Sequence, residues 1–163
     1  MTDPRWEQFE HVYGAKIKGV LGFGRDGNVV YTDRRTAVKF FDRHETFLRE
    51  LAAYQAITAK RIKQIVGHRI PQLKRHDEEL MAIEMTIVRR PYLLDFASAY
   101  PEAEAPDFPP EVMSEWWDQK AEEFGDRWPD VQHVMNEFRR MLGMILLDIN
   151  PENITFGEDD ARG

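Results

Sequence analysis

The chain has 163 residues, 42% of them hydrophobic and 31% charged, which is typical of one globular domain. Its formal net charge of −7 argues against general binding to nucleic acids or anionic membranes. Cysteine is absent, which excludes disulfides and thiolate metal sites, and neither a signal peptide nor an apolar run of membrane-spanning length occurs. These features predict a cytoplasmic protein without a nucleic-acid or membrane partner.

The first forty residues predict strands. Residues 1–15 contain apolar residues without a clear period, and 20–23 lead into a glycine-rich segment. Two short runs rich in β-branched and aromatic residues follow, at 28–32 and 36–41, with a polar turn between them. This pattern predicts an antiparallel hairpin.

A helix and a second hairpin are predicted next. Apolar residues at i, i+4 and i+7 favour a helix over 44–59. Residues 71–76 and 80–88 flank an acidic turn and resemble two further paired strands.

The second half of the chain is predicted to be mainly helical. Residues 92–97 could open a short helix, and 100–110, with four prolines, reads as a loop. A helix is expected from Pro110 to Gly125, and the clearest amphipathic helix runs over 131–145. A tight Asn-Pro turn and a short strand over 154–156 end the pattern.

Strands therefore precede helices, which predicts an α+β protein. Residues 1–88 would form an antiparallel sheet with one main helix. Residues 89–163 would form a smaller helical part.

Three glycines precede the first hairpin. Gly22, Gly24 and Gly27, followed by Val29, match G-x-G-x-x-G-x-V, in which glycines let the backbone approach phosphates closely. In a dinucleotide-binding fold the last glycine would open a helix, whereas here a strand candidate follows it. The pattern thus favours a loop folding over phosphates, and a flexible turn without a ligand stays open as the alternative.

A lysine lies inside the second apolar run. Lys39 shares one strand face with Ala37 and Phe41, and an ammonium in such surroundings requires a counter-charge or a route to water. Glu50 of the following helix is the first choice of partner and Glu45 the second. The alternative is a lysine on an edge strand whose amine reaches the solvent.

A second constellation lies near the C-terminus, where 143–156 read GMILLDINPENITF. Asp148 and Asn153 are spaced as Asp, four residues, Asn, before a short apolar run. Together with the glycines, Lys39 and Glu50, this pattern resembles the signature of the protein-kinase-like superfamily. The segment around Glu84 resembles the strand and hinge that join the two lobes of that family.

The resemblance implies roles for these residues, with ATP as cofactor and magnesium as its metal. Asp148 would accept or orient the substrate hydroxyl, and Asn153 would hold the metal ion. Lys39, oriented by Glu50, would pair with the α- and β-phosphates. The remaining cofactor contacts would be the loop glycines, the apolar roof over adenine and the hinge backbone: Gly22, Gly24, Gly27, Val29, Ala37, Met85 and Ile87.

The sequence departs from the family pattern in three ways. The His-Arg that usually precedes the catalytic Asp is Leu146-Leu147, and the lysine two residues after it is Asn150. The metal-binding Asp of an Asp-Phe-Gly segment is missing, because Asp159 and Asp160 follow Asn153 too closely. The chain would therefore be either a fragment or a minimal kinase-like protein with a reduced C-terminal lobe.

Two functions remain open at this point, besides a small regulatory binding protein. The first is a phosphotransferase acting on an unknown protein or small-molecule hydroxyl. The second is a catalytically inactive pseudokinase that binds or scaffolds a partner. The predicted strand over 154–156 would lack its usual neighbour, and such an exposed edge could pair two copies into a homodimer.

Overall fold

The computed structural model describes residues 2–157. The N-terminal half contains two helices and seven strands: α1 (Arg5–Tyr13), β1 (Ile17–Gly24), β2 (Gly27–Thr32), β3 (Thr36–Phe41), α2 (His44–Ala59), β4 (Gln64–Ile65), β5 (His68–Arg69), β6 (Leu73–Asp77) and β7 (Ala82–Thr86). The remainder contains β8 (Ala99–Pro101), α3 (Pro110–Phe124), α4 (Trp128–Leu142) and β9 (Met144–Leu146). The α+β class is confirmed. None of the helices within residues 2–157 has both the length and the apolar character that a bilayer crossing requires.

One antiparallel sheet organises the N-terminal half. Its strand order is β1-β2-β3-β7-β6, and β4 with β5, and β8 with β9, form separate two-stranded pairs. Both predicted hairpins and the helix over 44–59 are confirmed. All residues of β3 are buried, because this strand lies in the middle of the sheet and is covered on both faces.

Helix α1 covers one face of the sheet. Its only fully buried side chain, Phe9, packs edge-on against Phe40 of β3, with ring centroids 5.9 Å apart. Val38 belongs to the same cluster. No helical period is visible in this segment, because one buried side chain in nine residues sets no repeat.

The opposite face packs against α2 and the C-terminal half. Phe41 meets Phe47 of α2, and Tyr54 of α2 meets Phe96, which stacks on Phe138 of α4 with centroids 5.5 Å apart. This core therefore runs from the sheet through α2 into α4. The boundary predicted near residue 88 stays a prediction.

Three predicted elements differ from the structure. The helix over 131–145 ends at Leu142, because Gly143 adopts a left-handed conformation (φ 66°), and Ile145 lies on β9. The helix predicted over 92–97 is wrong, since Tyr92 and Leu93 form isolated β-bridges with Arg69 and Ile154.

The strand predicted over 154–156 is reduced to that single bridge. The N–H of Thr155 donates to the carbonyl of Tyr92, and Ile154 is buried. On one side, this segment therefore has residues 92–93 as its neighbour. A homodimer through the edge of this segment stays an untested prediction.

Candidate functional site

A cavity of about 470 Å³ lies between the sheet and the segments around residues 95 and 153. Most of the predicted site residues line it: Gly22, Val29, Ala37, Lys39, Glu50, Met85, Ile87 and Asn153. Gly24, Gly27 and Asp148 are not among its lining residues. The fold thus brings together residues that are more than a hundred positions apart in sequence.

Lys39 and Glu50 form a buried ion pair beside this cavity. The Lys39 Nζ donates to Glu50 Oε2 at 2.8 Å, and the Glu50 side chain is only 1% exposed. The other candidate, Glu45, lies near Arg43 at the surface. Glu50 is therefore confirmed as the partner, and the edge-strand alternative is wrong, because β3 is central and Lys39 is buried.

Burial acts on the pKa of both members of this pair. For Lys39, burial favours the neutral amine, but the carboxylates of Glu50 and Asp95 outweigh it, so the pKa lies above its usual value. For Glu50, burial outweighs the attraction of Lys39 and raises the pKa. Lys39 is consequently an ammonium at neutral pH, and the stability of ionised Glu50 depends on it.

Asp95 is a site residue that the sequence reasoning missed. Its Oδ1 lies 3.4 Å from the Lys39 Nζ, and its Oδ2 accepts from the Asn153 side-chain amide at 3.4 Å. It has a left-handed backbone conformation (φ 67°), which aspartate tolerates better than most residues. Asp95 thereby connects the lysine from the sheet to the asparagine from the last turn.

The predicted Asn-Pro turn holds Asn153 in the cavity wall. The Asn150 side chain accepts from the N–H of Glu152, and its carbonyl accepts from the N–H of Asn153. The Asn153 carbonyl in turn accepts from the N–H of Leu94 at 2.7 Å. These bonds fix Asn153 against the segment that carries Asp95.

Asp148 lies beside the main cavity, in a second, polar cavity of about 200 Å³ that shares Asp95 with the first. Its carboxylate is 3.5 Å from the Nζ of Lys120, a buried lysine of α3 that no sequence signal singled out. Its backbone N–H and carbonyl both bond the Ser98 hydroxyl. The backbone of Asp148 is thus fixed, while its side chain remains largely exposed.

The loop glycines have different environments. A Cβ on Gly22 or Gly24 would meet nothing within 4 Å, whereas a Cβ on Gly27 would lie 1.8 Å from the Phe40 carbonyl oxygen. Gly27 begins strand β2 with φ 145°, and no helix opens there. The dinucleotide-fold alternative is therefore wrong, and close packing against β3 is sufficient reason for Gly27.

The described residues offer a sparse set of metal ligands. Within residues 2–157, no group of three or more His, Cys, Asp or Glu residues could hold a metal ion by itself. Asp95 and Asn153 nevertheless lie side by side in the cavity wall, where the Asn153 Nδ2 donates to Asp95 Oδ2. A carboxylate and an amide oxygen are ligand types that Mg²⁺ accepts together with phosphate oxygens. Asp159 and Asp160 lie outside the described residues.

Fold and site together define an α+β protein whose central sheet carries a buried lysine–glutamate pair at the edge of a ligand-sized cavity. No protein-family model matches the chain, and no curated protein matches it. A functional assignment therefore depends on the site itself.

Proposed function

We propose that the chain is an ATP-binding protein of kinase-like fold that transfers the terminal phosphoryl group to a hydroxyl acceptor. One observation carries this proposal: Lys39, held by Glu50, shares a single cavity with Asn153. The antiparallel order β1-β2-β3-β7-β6, with α2 inserted after β3, supports it.

The cavity offers separate surfaces to the parts of ATP. Val29 and Ala37 supply apolar surface for the adenine, next to the backbone at the end of β7, around Met85 and Ile87. Lys39 supplies a fixed positive charge for the phosphates. Apolar walls and one oriented cation are the features that nucleotide recognition requires.

Phosphoryl transfer would occur where the two cavities meet at Asp95. When bound, Mg²⁺ would neutralise charge on the phosphate oxygens, and the residues able to hold it are Asp95 and Asn153. The acceptor oxygen attacks the terminal phosphorus, the bond to the ADP oxygen breaks, and Asp148 takes the hydroxyl proton. The Nζ of Lys120 lies 3.5 Å from the Asp148 carboxylate, which places a positive charge beside the proton-accepting group.

A second candidate function is a nucleotide-binding pseudokinase that serves as a scaffold. Two observations favour it. Asp148 is not among the residues that line the main cavity. Leu146, which stands where kinases usually have a histidine, is buried in the core. This protein would bind ATP without turnover.

Thermal denaturation with and without ATP and Mg²⁺ tests nucleotide binding. At a hundredfold excess over Kd we expect about 2.7 kcal/mol of stabilisation, which corresponds to a rise in Tm of roughly 5–10 °C. The double variant Lys39→Met/Glu50→Leu should lose this shift, and Lys74→Met, a change at an exposed strand lysine, should keep it. A wild type that does not shift at millimolar Mg–ATP, or a double variant that shifts equally, would refute the proposal.

The variant Asp148→Asn separates the enzyme from the scaffold. In the enzyme, it keeps the ATP-dependent shift and loses phosphoryl transfer by at least about a hundredfold. If the wild type binds ATP but hydrolyses and transfers none, the scaffold is the correct alternative.

A further inference from the structure

Three arginines surround the polar cavity beside Asp148. Arg25 belongs to the turn between β1 and β2, Arg43 precedes α2, and Arg49 lies in the second turn of that helix. They come from the glycine-rich turn and from the start of α2, and they line one cavity. Such a cluster of guanidinium groups suits an oxyanion, because each can donate two parallel hydrogen bonds.

Two of these guanidinium groups are available to a ligand. Within residues 2–157, neither Arg25 nor Arg49 forms an ion pair. Arg49 is oriented by a bond to the Ala97 carbonyl and by stacking on the Tyr100 ring, 4.1 Å away. Arg43 lies 3.5 Å from the exposed carboxylate of Glu45 and 3.9 Å from the partly buried carboxylate of Asp26.

The carboxylates that also line this cavity each lie near a cation, and two of these cations are shared, since Lys39 also pairs with Glu50 and Lys120 with Glu123. Asp26 lies near Arg43, Asp95 near Lys39, and Asp148 near Lys120. Within residues 2–157, none of these carboxylates lies within ion-pair distance of Arg25 or Arg49. The N-terminus of α2 also favours an anion here, because it has no side-chain cap and Thr46 of its first turn lines the cavity.

We propose that this cavity binds a phosphate monoester, and, on the basis of the proposed function, that the acceptor is a small phosphorylated hydroxyl compound. Its phosphate would lie among Arg25, Arg43 and Arg49. Its hydroxyl would then face Asp148, which lines the same cavity, and the terminal phosphoryl group of ATP would approach past Asp95. The cavity of about 200 Å³ suits a small molecule.

Calorimetric titration with inorganic phosphate and with glycerol 3-phosphate tests this site in the wild-type protein without nucleotide. We expect both to bind, and we expect Arg25→Gln and Arg49→Gln each to weaken binding by roughly tenfold or more. Arg61→Gln removes an exposed arginine after α2 and should leave binding unchanged. Arg25 is exposed, so its variant remains informative if Arg49→Gln fails to fold.

The same titration in saturating ADP distinguishes the two sources of phosphate. If glycerol 3-phosphate still binds, the arginines serve the acceptor. If ADP displaces it, the arginines serve the nucleotide, and the acceptor inference is overturned. Absence of binding at tens of millimolar, or equal binding in the Arg25 and Arg49 variants, overturns the site itself. If the anion site fails in this way but ATP still binds, the proposed function is unaffected. If glycerol 3-phosphate binds through the arginines but ATP does not bind, the anion site is supported and its role as an acceptor site is refuted.

Discussion

Replacement of Lys39 by methionine is expected to lower the free energy of unfolding at pH 7 by about 3–5 kcal/mol, because it leaves a buried carboxylate without its cation. Glu50 is almost completely inaccessible, and Lys39 is its hydrogen-bonded counter-charge. Asp95, the other acidic neighbour of Lys39, would add repulsion once the lysine is gone.

The loss in Lys39→Met should depend on pH. Burial already raises the pKa of Glu50 in the folded protein, and removal of Lys39 raises it further. A carboxyl whose pKa is higher in the folded than in the unfolded state destabilises the fold when ionised, and this penalty disappears as the pH falls through the folded pKa. The variant should therefore regain stability between pH 7 and pH 5.

Urea denaturation of four proteins at both pH values measures this effect: wild type, Lys39→Met, Glu50→Leu and the double variant. The double variant should recover most of the loss, since two apolar groups can replace a buried ion pair. Lys74→Met, the surface control, should stay within about 0.5 kcal/mol of wild type. A Lys39→Met protein as stable as wild type at pH 7, or one equally destabilised at pH 5, would contradict the buried pair.

Replacement of Gly27 by alanine is expected to destabilise the protein by at least about 3 kcal/mol, since it combines steric overlap with backbone strain. The new Cβ would lie 1.8 Å from the Phe40 carbonyl oxygen, in the middle of the sheet, and the φ of 145° disfavours any side chain. Phe40 cannot retreat easily, because α1 packs on it. The melting temperature should fall by roughly 6–12 °C.

Gly24→Ala is the matched control for this change. It belongs to the same glycine pattern, but its Cβ would enter open space, so we expect its melting temperature to match the wild type. Equal effects at both positions would mean that the approach of Gly27 to β3 is not as close as described. Gly22→Ala should also fold normally, and its effect should appear in ATP affinity alone, because Gly22 lines the main cavity.

Local sequence patterns were sufficient to predict much of the sheet and part of the site. Short apolar runs on either side of polar turns indicated both hairpins, and a charged residue within an apolar strand indicated a nearby counter-charge. Glu50 was the first choice over Glu45, and in the structure Glu50 bonds Lys39 while Glu45 lies at the surface. These inferences needed contacts between neighbouring elements and no knowledge of distant ones.

Residues whose roles depend on long-range packing were not predictable in this way. Asp95 belongs to an irregular segment, and its relation to Lys39 arises only when that segment pairs with the last turn. Lys120 looked like an ordinary helix charge, although folding buries it beside Asp148. Arg25 and Arg49 likewise belong to different elements and line one cavity only in the folded chain.

Paramagnetic NMR with Mn²⁺–ADP tests most directly whether a nucleotide and its metal lie between Lys39 and Asn153. Mn²⁺ accepts the same oxygen ligands as Mg²⁺ and broadens the signals of nearby nuclei. The account predicts selective broadening of the backbone amides of Gly22, Asp95 and Asn153, while Trp117 on α3 remains sharp. Broadening that is centred elsewhere, or that is uniform over the protein, would contradict it.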